Sequence, residues 1–160
     1  MISQKLQEAS TLSEVFELVK LAVWQMLGKD QAGLMVGLTD IPTENAWLGA
    51  YYSPDSNIII MNKLPIRKLK QKSPELFVPY AFNVLLHEYI HSLGYYDEEE
   101  ARRLTYAISR QLLGEGHIAT QLALDINQFM EHINYAGMPV QSDAIEFLPG
   151  IDRKNTDYIM

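Results

Sequence analysis

The sequence predicts a mixed α+β fold with one helix, three short strands and three further helices, in that order. Three observations support this prediction. Apolar residues recur at helical spacing near the N-terminus, short apolar runs bounded by turn residues fill the middle, and helical periodicity returns in the second half. The 160 residues predict a single domain, 1–160, because no internal repeat or low-complexity linker divides them.

The first predicted helix runs from about Thr11 to Leu27. Apolar residues occur every three or four positions, Thr11 and Glu14 have the spacing of a capping box, and Gly28 suits the helix end. The next segment, Gly33 to Leu38, is short and apolar with turn residues on both sides. We predict that it forms a strand.

Two further apolar segments predict a hairpin. Ala46 to Tyr52 and Ile58 to Met61 are separated by Ser-Pro-Asp-Ser-Asn, whose residues favour turns. The sequence that follows is rich in lysine and arginine. We interpret Arg67 to Lys72 as a solvated loop.

Three helices are predicted in the second half of the chain. One begins between Ser73 and Pro79 and ends near Leu93, where Gly94 follows as a stop signal. The next two are predicted over 98–113 and 117–135. The tail after Gly137 contains two prolines, and we expect it to be extended and to wrap around the domain.

Composition restricts the chemistry that the chain can perform. There is no cysteine, so a bound metal must use His, Asp or Glu, and a thiol nucleophile is excluded. The net charge of −7 disfavours a nucleic-acid partner. The first ten residues lack the pattern of a signal peptide, and no apolar run approaches the roughly 18 residues that span a bilayer. We therefore expect a cytoplasmic protein with no membrane partner.

One short segment, HEYIHSLGYYD, has the pattern of a metal site. His87 and His91 are four residues apart, so a helix places their imidazoles on one face, where they can chelate one zinc ion. Glu88 is rotated by about 100° around that helix. This position keeps Glu88 from serving as a further helical ligand and places it beside a metal-activated water as a general base.

The third ligand must come from outside this helix. Gly94 can reverse the chain after His91, and Asp97 follows six residues after His91, so we predict Asp97 as the oxygen ligand. Asp97 also fits the N-cap of the next helix, and Glu98 and Glu100 are the alternative ligands. The two remaining histidines, His117 and His132, are interpreted as surface residues.

The segment resembles the extended zinc signature of the metzincins, HExxHxxGxxH, with Asp97 in place of the third histidine. It is also similar to small prokaryotic zincin-like proteins that carry HExxHxxGxxDE. The resemblance implies a minimal zincin-like fold and a zinc metallopeptidase in which His87, His91 and Asp97 bind zinc and Glu88 is the general base. It implies a peptide or protein substrate.

The resemblance carries two further expectations. In minimal zincins an edge strand before the active-site helix pairs with extended substrate, and Ile58 to Met61 is the expected strand here. Metzincins also place a methionine turn under the metal, and Met138 is the residue that could form it, although the sequence favours an ordinary gap-filling role for this methionine.

Two alternative functions remain open. A small family of metal-dependent ribonucleases carries HGxxHxxGxDH with similar ligand spacing, but it lacks the glutamate that Glu88 supplies here. The second alternative is a non-catalytic, regulatory domain that binds metal for structure. A structural zinc site usually has four protein ligands, whereas the sequence offers three.

Overall fold

The computed structural model describes residues 1–43 and 47–149. The described residues form helices packed on one face of a small mixed sheet, which confirms the α+β class. The helices are α1 (Ile2–Glu8), α2 (Leu12–Leu27), α3 (Lys63–Lys72), α4 (Phe77–Ser92), α5 (Glu98–Leu113), α6 (Ile118–Leu124) and α7 (Met130–Ile133). The strands are β1 (Met35–Thr39), β2 (Ala50–Ser53), β3 (Ile58–Asn62) and β4 (Glu146–Phe147).

The sheet has the order β2-β3-β1-β4 over the described residues. Strand β3 is antiparallel to β2 and parallel to β1, and β4 is antiparallel to β1. The prediction that Ile58 to Met61 forms the sheet edge is therefore wrong, because β1 covers the side of β3 that β2 leaves open. The sheet also has a fourth strand, β4, beside the three that were predicted.

Helix α4 lies at the centre of the molecule. It contacts the sheet on one side and α2, α5 and α6 on the others. Its central side chains are fully buried, and the largest are Phe82, Leu85, Leu86, Tyr89 and Ile90. A helix that is buried on nearly every side holds its side chains in fixed positions. Functional side chains on α4 are therefore held in fixed positions.

Several sequence predictions are confirmed. The capping box of Thr11 and Glu14 is present at the start of α2, and Gly28 ends that helix with φ of 64°. The hairpin of β2 and β3 is formed, although Ala46, the predicted start of its first strand, lies outside the described residues. Helices α4 and α5 occupy their predicted positions.

The basic segment from Arg67 to Lys72 is helical and not a loop, so that prediction is wrong. It belongs to α3, and Asn62 is the N-cap of this helix. The Asn62 side chain accepts a hydrogen bond from the Leu64 backbone N–H at 3.1 Å. Leu64, Ile66 and Leu69 are buried. The buried apolar face stabilises the helix, and the lysines lie on its other face.

The predicted fourth helix, 117–135, is also wrong as one continuous element. The chain forms α6, then a 3-10 turn over Ile126–Phe129, then α7. Asp125 interrupts the helix because its backbone is extended, with φ of −158°, and its carboxylate accepts a hydrogen bond from the Asn127 backbone N–H. Aspartate competes for local backbone donors in this way and favours helix caps over helix interiors.

The C-terminal segment is extended and packs against the sheet, as predicted for the tail, over the residues up to 149. A buried carboxylate anchors it. Asp40 accepts hydrogen bonds from Arg67 at 3.0 and 3.3 Å and from the Gln141 backbone N–H at 2.7 Å. Burial alone would raise the pKa of Asp40, but these hydrogen bonds and the charge of Arg67 outweigh it and lower that pKa below its usual value.

Replacing Asp40 with asparagine should lower the free energy of unfolding at neutral pH by about 3–5 kcal/mol, because Arg67 would lose its buried counter-ion. The pKa of Asp40 is lower in the folded state, so its stabilisation is full above its ordinary value of 3.8 and is lost as pH falls through the folded value. Urea unfolding of both proteins near pH 7 and at decreasing pH measures the difference, which should shrink under acid.

The matched control is Glu146→Gln. Glu146 pairs with Lys63 at 3.4 Å on the surface, and its side chain is 65% exposed. We expect a change below about 1 kcal/mol for this variant. An Asp40→Asn protein as stable as the control at neutral pH would contradict the anchoring role.

Over the described residues, no helix combines the length and the apolar character that crossing a bilayer requires.

Candidate metal and catalytic site

Helix α4 presents two imidazoles to one carboxylate. His87 and His91 lie one turn apart, and their ring centroids are separated by 4.7 Å. The Nε2 atom of His87 lies 3.0 Å from Oε1 of Glu98, and the Nε2 atom of His91 lies 2.9 Å from the same oxygen. Among the described residues, these three side chains form a group whose ligand atoms lie within 4.8 Å of one another.

The His91 ring is held in one orientation by the backbone. Its Nδ1 atom lies 2.8 Å from the carbonyl oxygen of Tyr95. A carbonyl oxygen can only accept, so Nδ1 is the donor, and in the neutral ring the lone pair is then on Nε2. This arrangement is the usual one for histidines that bind metal, whose second ring nitrogen donates to a backbone or carboxylate oxygen.

Gly94 allows the chain to turn sharply after α4. Its φ is 104°, which confirms the prediction of a backbone conformation that favours glycine. Its N–H donates to the carbonyl of His91 at 3.0 Å, and no neighbouring atom would obstruct a side chain there. Glycine is therefore favoured here by the backbone conformation and not by a lack of space for a side chain. The turn directs α5 back across α4 and places the first residue of α5 opposite the imidazoles.

The carboxylate that lies at the imidazoles is that of Glu98, whereas Asp97, the predicted ligand, is not part of this group of side chains. Asp97 is the N-cap of α5, and its Oδ2 atom accepts a hydrogen bond from the Glu100 backbone N–H at 2.9 Å. This hydrogen bond holds the Asp97 carboxylate at the first turn of α5. Glu98, the first residue inside the helix, points sideways to His87 and His91.

The electrostatics of the group favour the forms that bind a cation. Burial lowers the pKa of His87 more than the charge of Glu98 raises it, so the ring is neutral over a wider pH range. Burial would raise the pKa of Glu98, but the two imidazoles more than offset this effect and lower it. A neutral ring and an ionised carboxylate are the protonation states of metal ligands.

Glu88 lies beside this group but is not part of it. The residue is buried, and it faces the same cleft as His87, His91 and Glu98. Burial and the negative charge of Glu98 raise the pKa of Glu88 to about 8, while a hydrogen bond from the Tyr52 backbone acts in the opposite direction. A carboxyl group with a pKa near neutrality is suited to taking up and releasing a proton.

Strand β2 lies next to the site and forms one edge of the sheet. The Gly49 carbonyl accepts from the Asn62 backbone N–H at 2.8 Å, so Gly49, Tyr51 and Ser53 are the positions that bond to β3. The positions between them, Ala50 and Tyr52, direct their backbone N–H and C=O groups away from β3. The hydrogen bond from Tyr52 to Glu88 agrees with this assignment.

Two cavities meet at the site and form one cleft. The first, which we call the His87 cavity, has a volume of about 430 Å³ and lies between α4, α5 and the end of α6. The second, the His91 cavity, has a volume of about 390 Å³ and is lined by the tyrosines at 51, 52 and 96. Ala50, Glu88 and Glu98 border both. The cleft therefore runs along the β2 edge and across the imidazoles.

The other residues considered from the sequence have different surroundings. His117 caps α6, where its Nδ1 atom accepts from the Ala119 backbone N–H, and His132 shares a hydrogen bond of 2.9 Å with Ser73. Met138 lies in a turn after α7 and lines neither cavity. Glu100 contributes its backbone N–H to the Asp97 cap.

Comparison of the chain with protein-family models, with curated proteins and with solved structures gave no match. The interpretation of the site therefore rests on its own geometry.

Proposed function

We propose that the protein is a zinc-dependent hydrolase of the zincin type that cleaves peptide bonds. One observation carries the proposal. The Nε2 atoms of His87 and His91 converge on one Glu98 oxygen, at 3.0 and 2.9 Å, while the buried carboxyl group of Glu88 faces the same cleft. Three ligands and a separate base form the arrangement of catalytic zinc sites, whereas structural sites usually use four protein ligands.

The donor set fits zinc. Two imidazole nitrogens and one carboxylate oxygen are ligand types that zinc accepts, and the chain has no thiolate to offer. The carboxylate oxygen lies about 3 Å from both Nε2 atoms, so these three side chains could hold one cation. When bound, zinc would polarise the substrate carbonyl and lower the pKa of a water toward 7.

Glu88 supplies the proton transfer in this proposal. As a carboxylate it takes the proton of the attacking water, and as a carboxylic acid it returns that proton to the leaving amine. Its pKa of about 8 belongs to the metal-free site, and a nearby cation would favour the ionised form. Burial excludes bulk water from this carboxyl group and so strengthens its interactions with the reacting atoms.

The β2 edge is the proposed binding strand for substrate. Ala50 directs its backbone N–H and C=O into the cleft, and the short strand lies along the cleft beside Glu88. An extended peptide can pair with such an edge through main-chain hydrogen bonds, largely independent of its sequence. Substrate pairing, which was expected of Ile58 to Met61 from the sequence, is therefore proposed for β2. A cytoplasmic location stays a prediction.

The direct test is digestion of a mixed peptide library, analysed by mass spectrometry. Protein treated with a chelator should be inactive, and one equivalent of zinc should restore cleavage. A zinc-loaded protein that cleaves no peptide, with the metal bound in a 1:1 ratio, would contradict the proposed function and favour a non-catalytic metal-binding role.

Replacing Ala50 with proline tests the role of the β2 edge. Proline removes the backbone N–H that faces the cleft, and it is tolerated at edge positions whose N–H does not pair within the sheet. We expect kcat/KM to fall about 2- to 10-fold, consistent with the loss of one hydrogen bond of about 0.5–1.5 kcal/mol. Zinc content and thermal unfolding serve as controls. Unchanged cleavage with normal zinc content would contradict strand pairing at β2.

A further inference from the structure

The His87 cavity is lined by a polar side chain for which the reaction gives no role. Asn83 lies on α4 one turn before His87, lines this cavity and is only 7% exposed. Its side-chain amide forms no hydrogen bond with any residue in the ranges 1–43 and 47–149. Its two donors and one acceptor are therefore available to a group bound in the cavity.

The other walls of the cavity do not compensate for this amide. Val84 and Leu122 are buried and apolar, and Thr105 donates its hydroxyl hydrogen to the Ala101 carbonyl. The side chains at the mouth that carry charge are exposed. Arg102 is 68% exposed and lies 3.5 Å from Glu98. The carboxyl groups of Glu88 and Glu98 also line the cavity.

We propose that the His87 cavity is a specificity pocket for a carboxamide side chain, with Asn83 as the residue that recognises it; this inference rests on the proposed function. An asparagine amide offers two donors and one acceptor. Another carboxamide matches both, whereas an aliphatic side chain would leave Asn83 unpaired. A carboxylate would be repelled by Glu88 and Glu98, which line the same cavity.

The depth of the pocket favours glutamine over asparagine. One helical turn separates Asn83 from His87, which corresponds to about 5.4 Å along α4. A substrate side chain that begins at the reacting bond beside His87 must cover a comparable distance to reach the amide. Glutamine has one more methylene group than asparagine, so it brings its carboxamide closer to Asn83. The expected substrate is a peptide with glutamine beside the cleaved bond.

Matched peptides that differ at this single position provide the test. They carry glutamine, leucine, glutamate or lysine. The zinc-loaded protein should cleave the glutamine peptide with a kcat/KM roughly 5- to 100-fold higher than the leucine peptide, the range expected when a polar group of the pocket is left unpaired. Asn83→Leu should remove this preference. Asn127→Leu, at the exposed mouth of the same pocket, should keep the preference.

A second variant, Asn83→Asp, separates recognition from folding. The carboxylate of this variant can accept hydrogen bonds but cannot donate them, so the substrate preference should move from glutamine toward lysine. If Asn83 had only a structural role, the substitution would not change which peptide is preferred. Equilibrium binding of the same peptides to zinc-loaded Glu88→Gln protein gives a readout independent of turnover. Cleavage with no preference for glutamine, or a preference that survives in Asn83→Leu, overturns the pocket assignment alone. The absence of any cleavage by the parent protein overturns the proposed function and this inference with it.

Discussion

Replacing Glu98 with alanine should weaken zinc binding by more than about 100-fold, because a direct ligand contributes more than the 10- to 100-fold typical of outer-shell partners. The Oε1 atom of Glu98 contacts both imidazoles, and no other carboxylate in the described part of the chain does so. Zinc affinity measured by competition with a chromogenic chelator gives the size of the effect. His91→Ala should show a comparable loss.

The matched control is Asp97→Ala, one residue away. Its carboxylate caps α5, so we expect a loss of stability of about 1 kcal/mol and less than a 10-fold change in zinc affinity. This pair of variants distinguishes the two adjacent acids directly. Strong zinc binding by the Glu98 variant, together with loss of binding by the Asp97 variant, would return the ligand assignment to Asp97.

Replacing Glu88 with glutamine should reduce peptide hydrolysis by at least about 100-fold and leave zinc binding intact. Glutamine keeps the size of the side chain but cannot accept the proton of the attacking water. The two measurements are the zinc content of the purified variant and its kcat on a peptide that the parent protein cleaves. A variant that loses its zinc would show that Glu88 is a ligand, and a variant with normal kcat would exclude it as the base.

The sequence predicted the part of the site that a single helix creates. The spacing of His87, Glu88 and His91 determines their relative positions as soon as the segment is helical, and the flanking signals identify the helix. Gly94 was also predictable, since a sharp turn has to follow His91. These inferences use local geometry, which short stretches of sequence encode well.

The third ligand could not be decided in the same way. Asp97 and Glu98 are adjacent, and both are carboxylates within reach of a turn, so spacing alone permits either. The difference arises from the first turn of α5, where one residue caps the helix and the next points sideways. A shift of one position in the helix start would exchange these roles, and sequence patterns locate helix ends only to within a few residues.

Which strand lies at the edge of the sheet depends on pairing between strands that are far apart in the sequence. The apolar pattern of β3 describes a buried strand, but it does not tell which neighbours bury it. Strand β1 pairs with β3 in parallel from more than 20 positions earlier in the chain, and this contact makes β3 central and leaves β2 at the edge. A strand buried on both sides has a continuous apolar sequence, as Ile58 to Met61 has. That feature indicates a central strand.

The crystal structure of the zinc-loaded protein tests the central claim most directly. We expect one zinc ion per chain, at about 2.0–2.2 Å from the Nε2 atoms of His87 and His91 and from a carboxylate oxygen of Glu98, with Glu88 in the cleft but not bound to the metal. Zinc bound elsewhere on the protein, or no bound zinc after loading, would contradict the account.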